Sequence, residues 1–365
     1  MKKLTLSIIM IMALTLAVHG ATIVVDLAGG GDYTNIHDAV DAADDGDTVL
    51  VMSGTYIIGP ENGVINVDKE LHLLGSGYDL PGEGGTKIQS SLEILHFEST
   101  ADGSTLRGFR MYGYGNPLIN ISADDMIIEE NHFTNSQTNG ILMMFNSGVS
   151  SDTLRNNIIG NISNANWFYT VRLNTTTNLA VTNNIFFMGA YYGAVALNAN
   201  TGALVSNNVF LNCYAGVNSA GSATVVNNIF MNGGAGGQIQ GAPSASYNSF
   251  FNNGADGTTG IEPILENPDF VDYGDNDSYT YLSIDDDDFD FHLQSASPCI
   301  DGGNPLFDYF DLDGSRNDLG VYGWRFPIGT TGAPTIPVVN SISVTPSTVS
   351  PSGTITINAS GRIGE

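Results

Sequence analysis

Lysine and arginine together number 11 against 38 aspartates and glutamates, so each cation can be weighed singly. Arg172 stands out, inside Val171-Arg172-Leu173-Asn174. If Val171 and Leu173 point into a core, the two-residue alternation of a strand points Arg172 outward. The plainer reading is an ordinary solvated side chain. Arg107, Arg110 and Arg155 fall at other points of their repeats. A second set is aromatic: Tyr112, Tyr114, Trp167, Tyr169, Tyr191, Tyr192 and Tyr214 each fall in a variable loop just before an apolar strand. Aligned into a stripe, such rings stack on sugar faces. Loop packing is the competing reading, and Asn135-Ser136-Gln137-Thr138-Asn139 breaks the stripe without an aromatic. A third set, Asp311, Asp313 and Asp318 around Gly314, has the spacing of a short loop that wraps calcium. It lacks the twelve-residue pattern with a terminal Glu, and Arg316 is placed to neutralise the same carboxylates instead. Asp124-Asp125 and the run from Asp285 to Asp288 read as acidic turns.

The elements that position these residues come from an internal repeat. Asn131, Asn157, Asn184, Asn208, Asn228 and Asn248 recur at spacings of 26, 27, 24, 20 and 20. Three of the six sit in the full pattern Asn-Asn-apolar-Phe, as in Asn183-Asn184-Ile185-Phe186 and Asn227-Asn228-Ile229-Phe230, and the others vary it at one or two positions. A second amide column, Asn120, Asn146, Asn174, Asn198, Asn218 and Gln240, precedes the first by 11, 11, 10, 10, 10 and 8 residues. A nearly constant offset marks the tight side of a coil, and the other side absorbs the changes in length. Each repeat holds about three strands, too short for a βαβ unit and without a 3.6-residue period. The expected fold is all-β: a right-handed parallel β-helix, a single-stranded solenoid with three short strands per coil. Equivalent residues then stack ~4.8 Å apart, Phe on Phe and Asn on Asn. Asparagine suits the bend because it tolerates left-handed backbone angles. Ile36, Ala39, Val40 and Ala43 share one face of a short N-terminal capping helix, with Asp32 or Thr34 as its N-cap.

Gly31-Asp32-Tyr33-Thr34-Asn35-Ile36, Ala39-Val40, Gly46-Asp47-Thr48-Val49 and Gly54-Thr55-Tyr56 resemble the N-terminal cap of pectin-lyase-like and pectin-methylesterase-like β-helix proteins. The Asn-Asn repeats resemble the β-helix repeat of that superfamily. Ser297-Pro298-Cys299-Ile300-Asp301-Gly302-Gly303 and the run from Asp311 to Tyr322 resemble the closing segment of secreted bacterial members. The resemblance covers roughly residues 23–325 and implies the fold and export more than an activity. It also implies that Arg172 lies on the strand set that lines the substrate groove of pectate lyases, where an Arg or Lys beside calcium serves as the base that abstracts a proton α to a carboxylate. No paired Asp with Arg in the methylesterase pattern is present, and none of the Asn-Thr-Asp, Gly-His-Gly or Arg-Ile-Lys elements of polygalacturonases.

Residues 1–20 read as a secretory signal, with Lys2 and Lys3, an apolar run from Leu4 to Ala17, and a cut before Ala21. Residues 21–326 form the β-helix, 327–338 a linker, and 339–365 an incomplete immunoglobulin-like segment of two strands. Two strands cannot bury a core, so the tail implies a longer protein or another partner. Losing the signal's two lysines takes the net charge from −27 to −29. Such a surface repels nucleic acid and anionic lipid. Cys213 and Cys299 are far apart in sequence, as a disulfide or as two buried thiols. The expected protein is therefore secreted or at the cell surface, without a membrane span once the signal is removed. It is a monomer or part of a longer surface protein, binding polysaccharide or serving adhesion. The alternatives are a calcium-dependent, pectate-lyase-like enzyme on uronate polymers and a structural module of a larger surface protein.

Overall fold

A computed structural model describes residues 20–59, 63–77, 85–90, 93–113, 117–135, 141–161, 169–174, 176–188, 193–198, 200–241, 243–273, 290–311, 314–324, 338–345 and 356–362. The chain winds as a right-handed parallel β-helix. Its strands form parallel sheets of ten, nine and eight strands, here the back, strapped and open sheets. A coil runs from the back sheet through the strapped sheet to the open sheet and returns, as in Ile127–Glu129, His132–Asn135 and Met143–Phe145.

The turn from the back to the strapped sheet is the tight one, always two residues long in the Asn-Asn coils. Its first residue takes a left-handed conformation: Glu130 (φ 53°), Asn156 (55°), Asn183 (53°), Asn207 (56°), Asn227 (60°) and Tyr247 (52°). Asparagine bears that conformation more cheaply than most side chains. The second residue is the buried ladder. From Asn131 to Asn228, each backbone N–H donates to the Oδ1 of the next coil's Asn at 2.9–3.0 Å, and each Nδ2 donates to the same oxygen. The remaining Nδ2 capacity reaches carbonyls such as Leu154 O and Thr182 O. A buried amide is tolerable only when satisfied in this way. Inside, Phe186, Phe210, Phe230 and Phe250 stack with centroids 4.9, 4.7 and 5.2 Å apart, because strand spacing sets ring spacing.

The capping helix spans Ile36–Ala42, and its N-cap is Asn35, which accepts from the Asp38 N–H at 2.8 Å. Neither Asp32 nor Thr34 takes that role: the Asp32 carboxylate accepts from the Val24 N–H instead. The second amide column also divides. Strand register puts Asn120, Asn218 and Gln240 on one outward row and Asn174 with Asn198 on another, two residues further along. A shift of two residues leaves every side chain on the same face, so alternation alone does not distinguish the two rows.

The closing segment wraps the outside of the strapped sheet. Phe270, Phe291, Cys299, Leu319 and Val321 bury a second apolar core against the outward Ile185, Val209, Leu211, Ile229 and Met231. The left-handed asparagines hold it in place. Asn183 Nδ2 donates to Val321 O and Gly323 O, Asn207 Nδ2 to Asn317 Oδ1 and Asp318 O, and Asn227 Oδ1 accepts from the Asn304 N–H. Gly320 (φ +84°) passes so close that an added Cβ would lie 2.9 Å from Ile229 Cδ1. Cys213 lies in the interior core and Cys299 in the outer one, and both thiols are free and buried. Val338–Thr345 and Thr356–Arg362 pair as an antiparallel hairpin. Residues 1–19 and the linker lie outside the described residues.

Candidate functional site

The open sheet carries no such covering among the described residues. Its central outward row reads Asn66, His96, Asn120, Met144, Arg172, Ala196, Asn218 and Gln240. Strand Tyr169–Asn174 buries Val171 and Leu173 and leaves Arg172 half-buried on the outside, the orientation that alternation requires. No described residue forms an ion pair or hydrogen bond with the Arg172 guanidinium. Other described cations are engaged: Arg107 with Glu130, Arg155 with Glu129, Lys69 with Ala43 O, and Arg316 with Gly303 O; Lys87 and Arg110 are engaged as well.

Two aromatics of the expected stripe meet over this sheet. The Tyr169 ring lies over Gly193, where a Cβ would stand 2.2 Å from Cε1, and its hydroxyl donates to Gln240 Oε1 at 3.3 Å. Burial raises the Tyr169 phenol above its ordinary pKa, while a hydrogen bond with Asn218 pulls the other way. The Tyr214 ring lies over Gly236, where a Cβ would stand 2.3 Å from Cε1. Both glycines are therefore seats for rings. On the next row, Asn198 Nδ2 donates to Asn174 Oδ1 at 3.1 Å, and Asn146 Nδ2 reaches across to Asn120 Oδ1 on the central row at 2.8 Å. The face thus combines flat rings, amides with spare donors and acceptors, and one unpaired guanidinium.

Other expected site residues fall elsewhere. Tyr112 stands on the outside of the strapped sheet's strand Phe109–Gly113, its hydroxyl donating to Gln89, and so does not join the stripe. Tyr114, Trp167, Tyr191, Tyr192 and Asp313 lie outside the described residues. Asp311 Oδ2 accepts from the Asp318 N–H at 2.9 Å, and Asp318 Oδ1 accepts from the Asp301 N–H at 2.7 Å. Arg316 turns from them to Gly302 O, Gly303 O and the Tyr247 ring. Asp125 is a left-handed turn residue (φ 56°), and Asp124 Oδ1 accepts from the Ser150 N–H.

Sequence reasoning missed one cluster on this face. His96 Nδ1 lies 3.8 Å from Glu93 Oε1 and 3.9 Å from Glu98 Oε1. Burial raises the Glu93 carboxyl above its usual range, offset in part by His96 and a hydrogen bond from Asn120. The signal was available, because alternation about the buried Leu95 and Phe97 puts His96 and Glu98 on one face.

The profile of the family described as periplasmic copper-binding protein (NosD) matches residues 40–259, more than half of the chain. No curated protein matches. Among solved structures, the chain is similar to the catalytic domain of a GH87 alpha-1,3-glucanase in complex with tetrasaccharides, at 14% identity and a TM-score of 0.42. That match covers 60% of this chain and 44% of the glucanase domain, so the chain spans less than half of that domain's length. It is also similar to pectate lyase Pel9A, at 14% identity and a TM-score of 0.42, over 82% of this chain and 95% of that one. A third is Geobacillus virus E2 ORF18, at 15% identity and a TM-score of 0.40, over 63% and 56%.

Proposed function

From the premise that this chain belongs to the periplasmic copper-binding protein (NosD) family, we propose that it binds polysaccharide along the outer face of the open sheet. The seating of the Tyr169 and Tyr214 rings over Gly193 and Gly236, beside a row of amides, carries the reading. Flat rings supply stacking area for sugar faces, and Asn218 and Gln240 supply hydrogen bonds that fix orientation. The test is binding to a panel of cell-wall and algal polysaccharides by the wild type and by Tyr169→Ala with Tyr214→Ala. Affinity should fall at least tenfold for every polysaccharide bound, and unchanged binding would reject the face as the site.

Arg172, without a partner among the described residues, favours a second reading, a calcium-dependent lyase on uronate polymers in which its neutral guanidine takes the proton α to the carboxylate as the bond from the β carbon to the glycosidic oxygen breaks. Unsaturated product absorbing in the near ultraviolet, formed with calcium and lost in Arg172→Ala, would establish it. Calcium at Asp311, Asp313 and Asp318 is proposed on their spacing, and adding it back after chelation should raise the melting temperature. Export is proposed on residues 1–20, with Ala21 as the first residue of the mature chain. Among the described residues, no helix is long and apolar enough to cross a membrane.

Copper, which the family's description names, does not fit the donors described here. Cys213 and Cys299 lie in separate cores, and burial pushes both thiols up, Cys299 to about 11. No three His, Cys, Asp or Glu side chains among the described residues converge as a metal would need.

A further inference from the structure

We propose that His96 is the general base of a hydrolytic centre on the open sheet, acting on O-acyl esters of the glycan. The proposal rests on the polysaccharide reading for its natural substrate but not for its chemistry. His96, Glu98 and Glu93 are all reachable, with side-chain exposures of 27%, 45% and 24%. Both carboxylates approach the same ring nitrogen, Nδ1, so an Nδ1 proton faces them and Nε2 is left as the basic nitrogen. No described residue hydrogen-bonds Nε2. The contacts of 3.8 and 3.9 Å are ion-pair distances, longer than a hydrogen bond, and a shift of under about 1 Å on substrate binding would let one carboxylate orient the imidazole.

The neighbouring rows complete the centre. Asn66 and Asn120 flank His96 in register, each ~4.8 Å away. Asn120 is committed to Asn146 and Glu93, whereas no described residue bonds the exposed Asn66 amide. Asn66 is the donor available to a developing oxyanion. In the reaction, Nε2 takes a proton from water as the water oxygen bonds to the acyl carbon. The tetrahedral intermediate then collapses, the bond from the acyl carbon to the sugar oxygen breaks, and the imidazolium returns its proton to that oxygen. Water and ester become a free carboxylic acid and a sugar hydroxyl.

Charge selects the ester type. Cleaving an alkyl ester of a uronate would leave a new carboxylate on the bound polymer beside Glu93 and Glu98, where like charges repel. Cleaving an O-acyl ester leaves a neutral hydroxyl there, and the anion departs.

The experiment measures acetate released from glucose pentaacetate and from O-acetylated xylan by the full chain. His96→Ala should lower kcat at least ~100-fold, the usual contribution of a positioned base, with KM little changed. Added imidazole should restore a measurable part of it. Glu98→Gln should lower kcat about tenfold with melting temperature unchanged, and His96→Gln, which keeps the shape of a polar side chain, should stay as inactive as His96→Ala. No release above background, full activity in His96→Ala, or a loss that imidazole does not relieve would each overturn the proposal. Cleavage of the small ester without polysaccharide binding would leave this centre standing and remove the binding reading. Binding without cleavage would do the reverse.

Discussion

The strapped and open sheets are built by the same coils, yet their outer faces are opposites. Along the strapped sheet the outward rows become Ile185, Val209 and Ile229 with Phe187, Leu211 and Met231, and the closing segment covers them. Along the open sheet the equivalent row is Arg172, Ala196, Asn218 and Gln240. An inward face must be apolar in both, so the inside says nothing about use. The outside differs because one face completes the fold by burying the closing segment, whereas no described segment covers the other. A solenoid separates these tasks by sheet, where a compact domain separates them by loop.

The sharpest way to break the comparison is to place the same charge on both faces. Ile229→Asp should cost at least ~4 kcal/mol or prevent folding, since it buries an unpaired carboxylate. Asn218→Asp, at a half-buried position that bonds the Tyr169 hydroxyl, should cost only about 1 kcal/mol, because the carboxylate keeps contact with water. Equal losses in denaturant unfolding would mean the two faces are alike. A second effect lies at the corner between the open and back sheets, at Asp152. Asp152 is 1% exposed, its Oδ2 has no hydrogen-bond partner, and burial, with Asp124, Asp125 and Asp102 nearby, raises its carboxyl to about 7. Because the folded state holds the proton more tightly than the unfolded chain, the stability is full below about pH 4 and lost as pH rises toward 7. Asp152→Asn keeps the acceptor for the Met126 N–H and should stabilise the protein by ~2–4 kcal/mol at pH 8. At pH 4 the gain should vanish, and a gain independent of pH would contradict this account.

Smaller effects sharpen the role of the strap. Asn207→Ala removes the Nδ2 bonds to Asn317, Asp318 and Gly320 in the closing segment, together with the Oδ1 contacts to Ser206 and Asn227 within the solenoid, at a cost of ~1–2 kcal/mol. Because the Nδ2 bonds are the ones that tie down the closing segment, Cys299 should become reactive to thiol reagents before Cys213, whereas simultaneous labelling would show that the strap and solenoid open as one. Smallest in stability is Arg172→Ala, expected within about 0.5 kcal/mol of wild type because nothing described pairs with it. Its effect should appear in binding or turnover alone.

These contrasts also show what the sequence made legible. The Asn131 to Asn248 column was readable because the tight turn holds two residues in each of its coils and leaves no room for length change, whereas the earlier turn between Arg107 and Phe109 holds one. The second amide column was readable only in part, since Asn120 and Asn146 differ by one step of the two-residue period and still face the same way. Tyr112 looked like a stripe member because loop and strand cannot be told apart where the coil is polar. The strap was recognised by resemblance as a closing segment. Its contacts were not foreseen, because Asn207 meets Asn317 across 110 residues and no periodicity spans that distance. The His96 cluster was legible only in part: alternation puts His96 and Glu98 on one face, but Glu93 lies an odd number of residues away and joins them only because the chain bends before the strand Leu95–Phe97.

The central claim, that the open sheet is the working face, is tested most directly by hydrogen exchange of the full chain with and without a polysaccharide it binds. The account predicts added protection in residues 169–174, 193–198 and 215–219, with the strapped sheet and residues 290–324 unchanged. Protection confined to the strapped sheet or its strap would contradict it.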